Sequence, residues 1–373
     1  MAVTFARGFR AGTAACGIKA FTTGASAIPT NQRDDLCVVH SAHPCDTGGV
    51  FTTNKVKSAS VVIDQLHLQR NRVQALTINS GNANACTGAQ GFRDALLMAK
   101  LSADRLDLDP DQVLVSSTGV IGRFLPMDAI KPGIAQACET LVRVGGMCKG
   151  SGMIHPNMAT MLAYITTDAA VEAGLMARMV KTVADRSFNQ VTVDGDSSTN
   201  DSFLILANGA AGNEPVRAGS VEEEQLEAAL THVAQELSRA IARDGEGATK
   251  LITVKVLDAA TNDEARTAAR AVASSSLVKT AVHGGDPNWG RIVCALGYSG
   301  AELALDRLHL TVGGLVVFER GSGVDVDLAA VRRAFEQPEI EIVAKLGLAE
   351  GSAEAWGCDL SEEYVRINAD YTT

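Results

Sequence analysis

The sequence predicts an α/β fold of mixed sheets layered with helices, and three observations predict it. Short β-rich runs alternate along the chain with apolar stripes at helical spacing. Glycine is frequent, at 35 residues, and several strand-like runs sit beside glycine turns, whereas aromatic side chains make up only 4%; such a chain turns tightly and packs backbone close to backbone. With 373 residues, 46% of them hydrophobic, it can bury a large core and exceeds the size at which one core usually keeps growing, which favours two lobes.

The elements follow in order. The first 33 residues hold Arg7, Arg10, Lys19 and Arg33 and no acid, but glycines break them up, so they read as part of the fold and not as a transit peptide. A strand is expected over Val73–Asn79, a helix from about Gly91 to Leu106, a strand over Val113–Ser117 and a helix over about Asp128–Val142. Met161–Thr167 reads as a strand, after which Asp168 is expected to cap a helix that turns Leu175, Met176, Met179, Val180 and Val183 inward. Ser202–Ala207 is another strand. The clearest helix spans Ser220–Arg243: Ser220 and Glu223 suit a capping box, and Leu226, Leu230, Val233, Leu237 and Ile241 make one apolar face. Ile252–Leu257 follows as a strand, Leu308–Val312 and Leu315–Phe318 form a hairpin about Gly313-Gly314, and Glu339–Ile342 alternates as a strand with one wet face. No Pro- or Ser-rich linker divides the chain, so the lobes must share an interface.

Composition excludes several function classes. A net charge of −10 and the scarcity of aromatics argue against a nucleic-acid partner, and no uninterrupted run of about 18 apolar residues offers a membrane span. Residues 1–159 carry 15 Lys+Arg and 11 Asp+Glu, a balance of +4; the remaining 18 and 32 leave −14 for residues 160–373, so the two stretches attract. Eight cysteines without a C-x-x-C pair suggest reduced, mostly buried thiols and a cytoplasmic location. The seven histidines show no zinc spacing, no phosphate loop is present, and Asp194–Asp201 fails as a calcium loop because Thr199 and Ile205 stand where Gly and Glu are needed. No metal and no cofactor are expected.

Three segments offer chemistry. A glycine-rich stretch from Gly145 to Ala159 runs into Thr160, which heads a strand; cutting Ala159–Thr160 would free the amine that a threonine hydroxyl needs as its base, although a merely structural threonine fits the same spacing. In Ser116–Gly122, the Thr118 hydroxyl and the Gly119 amide could point two donors at one developing oxyanion; a polar strand-end turn is the bland alternative. Glu246, between Gly245 and Gly247 after the long helix, could receive a substrate ammonium, and its place at a helix C-terminus asks for a compensating cation.

Taken together, these segments resemble the ornithine acetyltransferase (glutamate N-acetyltransferase) family of arginine biosynthesis. The matching runs are Gly17–Lys19, Val50–Asn54, Asn79–Thr87, Ser117–Gly122, Lys149–Leu162, Thr192–Asp201, Asp244–Lys250, Asp286–Arg291 and Tyr364–Tyr371. The resemblance implies an N-terminal-nucleophile-like fold with a catalytic lobe over residues 1–250 and a smaller C-terminal lobe over 251–373. It implies self-cleavage between Ala159 and Thr160, ping-pong acetyl transfer from N-acetylornithine to glutamate through Thr160, and an oxyanion hole from Thr118 and Gly119. Lys149, Glu246, Asn368 and Thr373 would contact substrate, the two cleaved chains would stay together as a dimer of pairs, and acetyl-CoA is left open as a further donor. One family strand is missing between Val142 and Gly145, along with a substrate-contacting threonine that no residue here replaces. Two readings compete: an amidase or aminopeptidase using the same Thr160, and an uncleaved, non-catalytic homologue.

Overall fold

The computed structural model describes residues 6–23, 34–70, 72–139, 147–155 and 161–370. From the N-terminus run β1 (Phe9–Ala14), α1 (Ile18–Thr23), β2 (Leu36–Phe51), α2 (Ala59–His67), β3 (Val73–Asn82), α3 (Gly88–Leu106), β4 (Val113–Val120), α4 (Met127–Glu139), β5 (Met147–Lys149) and β6 (Leu162–Thr167). Then come α5 (Leu175–Asp185), β7 (Val191–Thr192), β8 (Ser202–Ala207), α6 (Val221–Arg243), β9 (Leu251–Ala259), α7 (Asn262–Ser274), α8 (Ser276–Gly284) and α9 (Trp289–Tyr298). The chain closes with β10 (His309–Val312), β11 (Leu315–Glu319), β12 (Ser322–Gly323), α10 (Leu328–Phe335), β13 (Glu339–Lys345), β14 (Gly351–Cys358) and α11 (Glu362–Asp370).

These strands make two mixed sheets, as the α/β reading requires. The first has the order β4-β3-β2-β8-β6-β5, with β1 also paired to β2. Its parallel pairs are β3 with β4 and β6 with β8; β2 joins the two halves, its beginning antiparallel to β3 and its end antiparallel to β8. The second runs β12-β11-β10-β13-β9-β14-β7. Helices α1 to α4 cover one end of the first sheet with Ile18, Ile63, Met98 and Ile130, and α7 to α10 cover the second with Val272, Val282, Leu296 and Phe335. A third core joins the sheets: Met161, Ile165 and Phe203 of the first pack with α5, α6 and with Leu251, Trp356 and Cys358 of the second. Shared burial of this kind resists separation of the two, because opening it would expose large apolar area to water.

Several elements match their sequence signals. Burial on α5 falls on Leu175, Met176, Met179, Val180 and Val183, and the stripe on α6 supplies buried Leu230 and Ile241. Gly313 and Gly314, both at positive φ, turn the β10–β11 hairpin. Others need correction. Asp168 does not cap α5, whose N-cap is Gly174; its carboxylate instead accepts from the main-chain and side-chain nitrogens of Arg7, at 3.4 and 3.1 Å. The capping box on α6 is only half reciprocal, since Ser220 Oγ accepts from Glu223 N while the Glu223 carboxylate reaches one residue further back, to Gly219 N. The turn expected from Ser116 is the continuation of β4, which stays paired to β3 through Val120. Nor are the thiols mostly buried. All eight are free, Cys45 and Cys358 are buried, Cys86 and Cys294 are exposed, and the rest lie between. Among the described residues no helix is long and apolar enough to cross a membrane.

Candidate active site

The C-terminal ends of β3 and β4 build one wall. Parallel register sets Ser80 beside Thr118 and Gly81 beside Gly119. Gly119 takes φ +131°, and a Cβ there would collide with the Gly81 carbonyl carbon, so only glycine lets the two backbones approach so closely. The opposite wall is β5 and the loop after it. Lys149 ends β5, and its Nζ donates to Thr118 Oγ1 at 3.3 Å. Beyond it, Met153 N and Ile154 N donate to the Asp194 carboxylate at 2.5 and 2.8 Å, with Met153 at φ +57°, which fixes the Gly150–Ile154 turn. A Cβ at Gly152 would run into the Glu246 carboxylate, so this glycine makes room for Glu246.

The loop after α6 brings Glu246 to the same place. Its N–H donates to the Ser151 carbonyl at 2.7 Å, and Asn368 Nδ2, on α11, donates to its Oε2 at 3.1 Å. Asp359, with its side chain out of contact with solvent, holds that loop: it accepts from Thr249 N, Thr249 Oγ1 and Lys250 N at 2.7, 2.6 and 2.8 Å and from His283 Nδ1 at 2.7 Å. Ser361 Oγ adds a bond to the Gly247 carbonyl at 2.6 Å. Thr118, Gly119, Lys149, Gly152, Glu246 and Asn368 thus line one cavity of about 130 Å³, together with Ala83, Ser198, Thr199 and Asn200. Larger surface clefts elsewhere hold none of these side chains.

Electrostatics follow from this arrangement. Desolvation is the largest influence on Lys149 and lowers it below the ordinary ammonium value; Lys19 lowers it further and Glu246 opposes both. The residue stays exposed toward the open cavity, which limits the effect, and a substrate that displaced water would enlarge it. Glu246 feels the charge of Lys149 from across the cavity, which suits a carboxylate placed just beyond a helix C-terminus. His155 is pushed down to about 4 by burial and then by Arg270, against Asp194. It is neutral at pH 7, with Nε2 accepting from Arg270 Nη2 at 2.9 Å and Nδ1–H donating to Thr192 Oγ1 at 3.0 Å. Among the described residues no group of three or more His, Cys, Asp or Glu could hold a metal ion.

Ala159, Thr160 and Thr373 lie outside the described residues, so of the expected site residues the structure brings together Thr118, Gly119, Lys149, Glu246 and Asn368. Met161, the residue after Thr160, is buried, and its carbonyl accepts from Ser202 N at 3.0 Å where β6 and β8 begin. Asp194, Asp359 and Asn200 were not anticipated as parts of the site. Their partners lie tens of residues away, and no local spacing signals them.

The ArgJ family model matches residues 10–142 and 135–373. This chain belongs to the ArgJ family. Among its relatives, the arginine biosynthesis bifunctional protein ArgJ of Symbiobacterium thermophilum is 45% identical over 403 aligned positions, which take in 100% of this chain and 98% of that one. The protein of the same name from Dehalococcoides mccartyi is 44% identical over 402 positions, covering 100% and 97%. A crystal structure of arginine biosynthesis bifunctional protein ArgJ from Bacillus halodurans is 40% identical, with a TM-score of 0.55, and covers 57% of this chain and 100% of that chain. The alignment with the Symbiobacterium protein runs over 403 positions against 373 residues here, and the ArgJ model matches in two pieces that overlap at residues 135–142.

Proposed function

We propose that this ArgJ-family enzyme moves an acetyl group from N-acetylornithine to glutamate in arginine biosynthesis, by a ping-pong route through acetyl-Thr160. The observation that carries this reading is the convergence of Thr118, Gly119, Lys149, Glu246 and Asn368, from distant parts of the chain, on one small polar cavity. Cleavage between Ala159 and Thr160 frees the Thr160 amine. That amine takes the hydroxyl proton as the oxygen attacks the acetyl carbonyl, and ornithine leaves with a proton on its nitrogen. Glutamate then attacks the threonine ester through its own amine and departs acetylated.

Negative charge grows on the carbonyl oxygen in both half-reactions. Because Thr118 Oγ1 accepts from the Lys149 ammonium, its own hydrogen is left to be given away, and the donor is strengthened by the charge behind it. Gly119 supplies the second donor through its amide. Lys149, with Lys19 nearby, suits a substrate carboxylate, and Glu246, steadied by Asn368, suits a substrate ammonium. The family likeness adds Thr373 as a further substrate contact. Both transfers are direct acyl exchanges that need no metal or coenzyme.

Size agrees with the cut: the whole solved chain from Bacillus halodurans corresponds to 57% of 373 residues, about 213, and the piece from Thr160 onward has 214. The reading also includes a catalytic lobe over residues 1–250, a C-terminal lobe over 251–373, assembly as a dimer of cleaved pairs, and a place in the cytoplasm. Intact mass of the purified protein tests the cut, with two species and a new N-terminus at Thr160 expected. Cleaved protein given N-acetylornithine alone should release about one equivalent of ornithine per active site, and should go on releasing it only when glutamate is present. Sustained release without glutamate would make it an amidase, a single uncleaved species would make it a non-catalytic homologue, and turnover with acetyl-CoA and glutamate would add the second donor.

A further inference from the structure

We infer that Asn200 is a positioning residue for the oxyanion hole, tying the strand pair that follows Thr160 to the segment that carries Thr118 and Gly119. Asn200 is 4% exposed and stands just before β8, the parallel partner of β6. Its Nδ2 donates two hydrogen bonds of 2.6 Å, one to the Ala83 carbonyl and one to the Ser117 carbonyl, while its Oδ1 accepts from Thr199 Oγ1. Both amide hydrogens and one lone pair of Oδ1 are thereby engaged, and flipping the amide would set its oxygen against both carbonyls.

The consequence is specific to the chemistry. The Ser117 carbonyl belongs to the same planar peptide as the Thr118 N–H, so gripping the oxygen fixes the plane from which Thr118 departs. Ala83 is bound to the same segment, its N–H donating to the Val120 carbonyl at 2.9 Å. One amide side chain therefore clamps both strand ends that form the oxyanion wall. The other end of the clamp is equally fixed. Asp201 carbonyl accepts from Thr52 N at 3.1 Å, Thr199 carbonyl from Ser58 N at 3.0 Å, and Ser198 carbonyl from Thr52 Oγ1 at 2.7 Å. Asn200 also lines the cavity, so a shift there is felt at the reacting atoms. A misplacement of an ångström costs on the order of 10²-fold in rate.

This inference rests on the acyl-transfer reading for its kinetic arm and not for its structural arm. In cleaved protein assayed with N-acetylornithine and glutamate, Asn200→Ala and Asn200→Asp should lower kcat by roughly 10–10²-fold with KM within about twofold, and Asn200→Ser, which keeps one donor, should recover part of the loss. In parallel, backbone hydrogen exchange of Thr118–Val120 should quicken by about tenfold or more in Asn200→Ala, while the Leu310–Phe318 hairpin exchanges as before. A rise in KM at constant kcat, exchange unchanged at Thr118–Val120, or exchange quickened equally throughout the protein would each overturn the assignment. If the parent protein transfers no acetyl group, the proposed function fails, and the exchange measurement alone still decides the role of Asn200.

Discussion

The two sides of the cavity are held by different means. On the proposed oxyanion side, Thr118 and Gly119 lie within a parallel strand pair, and their positions follow from backbone register, to which the buried Asn200 adds one side-chain tie. On the ammonium side, Glu246 rides on a loop fastened by side chains, those of Asp359, Ser361 and Asn368, and the last stands on an exposed terminal helix. Register gives rigidity; side-chain fastening gives a part that each substitution can loosen separately. Under the proposed function, the difference gives rate to one wall and affinity to the other.

That division can be broken by kinetics. Thr118→Ala should lower kcat by about 10²–10³ with little change in KM or in melting temperature, as loss of one oxyanion donor does elsewhere. An equal effect on KM would mean that the wall also binds the ground state. Asp359→Ala should be the most destabilising change on the loop side, by about 3 kcal/mol in denaturant unfolding, because it strips a buried carboxylate from four donors. Glu246→Gln should raise KM for the amino substrate by roughly 10–10²-fold at near-constant kcat, and Asn368→Ala by only a few-fold, since Asn368 acts through an exposed contact. The smallest effect concerns His155 and the stretch it precedes. Its folded-state pKa of about 4 lies below the ordinary value of 6.5, so the unfolded chain binds its proton first and stability falls as pH drops from about 6.5 to about 4. After allowance for partial exposure, His155→Gln should remove about 1 kcal/mol of that loss, measured as the difference in unfolding free energy between pH 7 and pH 4.5.

How much of this was legible in the sequence depended on how local each signal was. The β10–β11 hairpin, β6, β8 and α6 declare themselves through glycine pairs, β-branched runs and a helical stripe, all within a dozen or two residues. Strand β2 does not. Its Ala42–Pro44 stretch is exposed at the register shift between His40 and Cys45, and a proline inside a run argues against a strand unless it sits at such an irregularity. The C-terminal segment reads as a polar tail because α11 buries no residue at all, yet it is helical and carries Asn368 to Glu246. The chemical residues became readable through family likeness, since nothing in their spacing brings Lys149 to Thr118 or Asn368 to Glu246. Asp168 shows the opposite failure: an apparent cap whose carboxylate had a distant arginine to satisfy. Asn200, Asp194 and Asp359 escaped altogether because polar groups that fasten loops leave no periodic trace.

The order β4-β3-β2-β8-β6-β5 has an outcome for manufacture and turnover of the protein. A break after Ala159 would leave β4, β3, β2 and β5 in one polypeptide and β8 and β6 in the other, so that the second is threaded between members of the first. Such halves cannot trade partners with a neighbouring molecule without melting, and supplying a damaged half from a separate gene would rescue nothing once the sheet has closed.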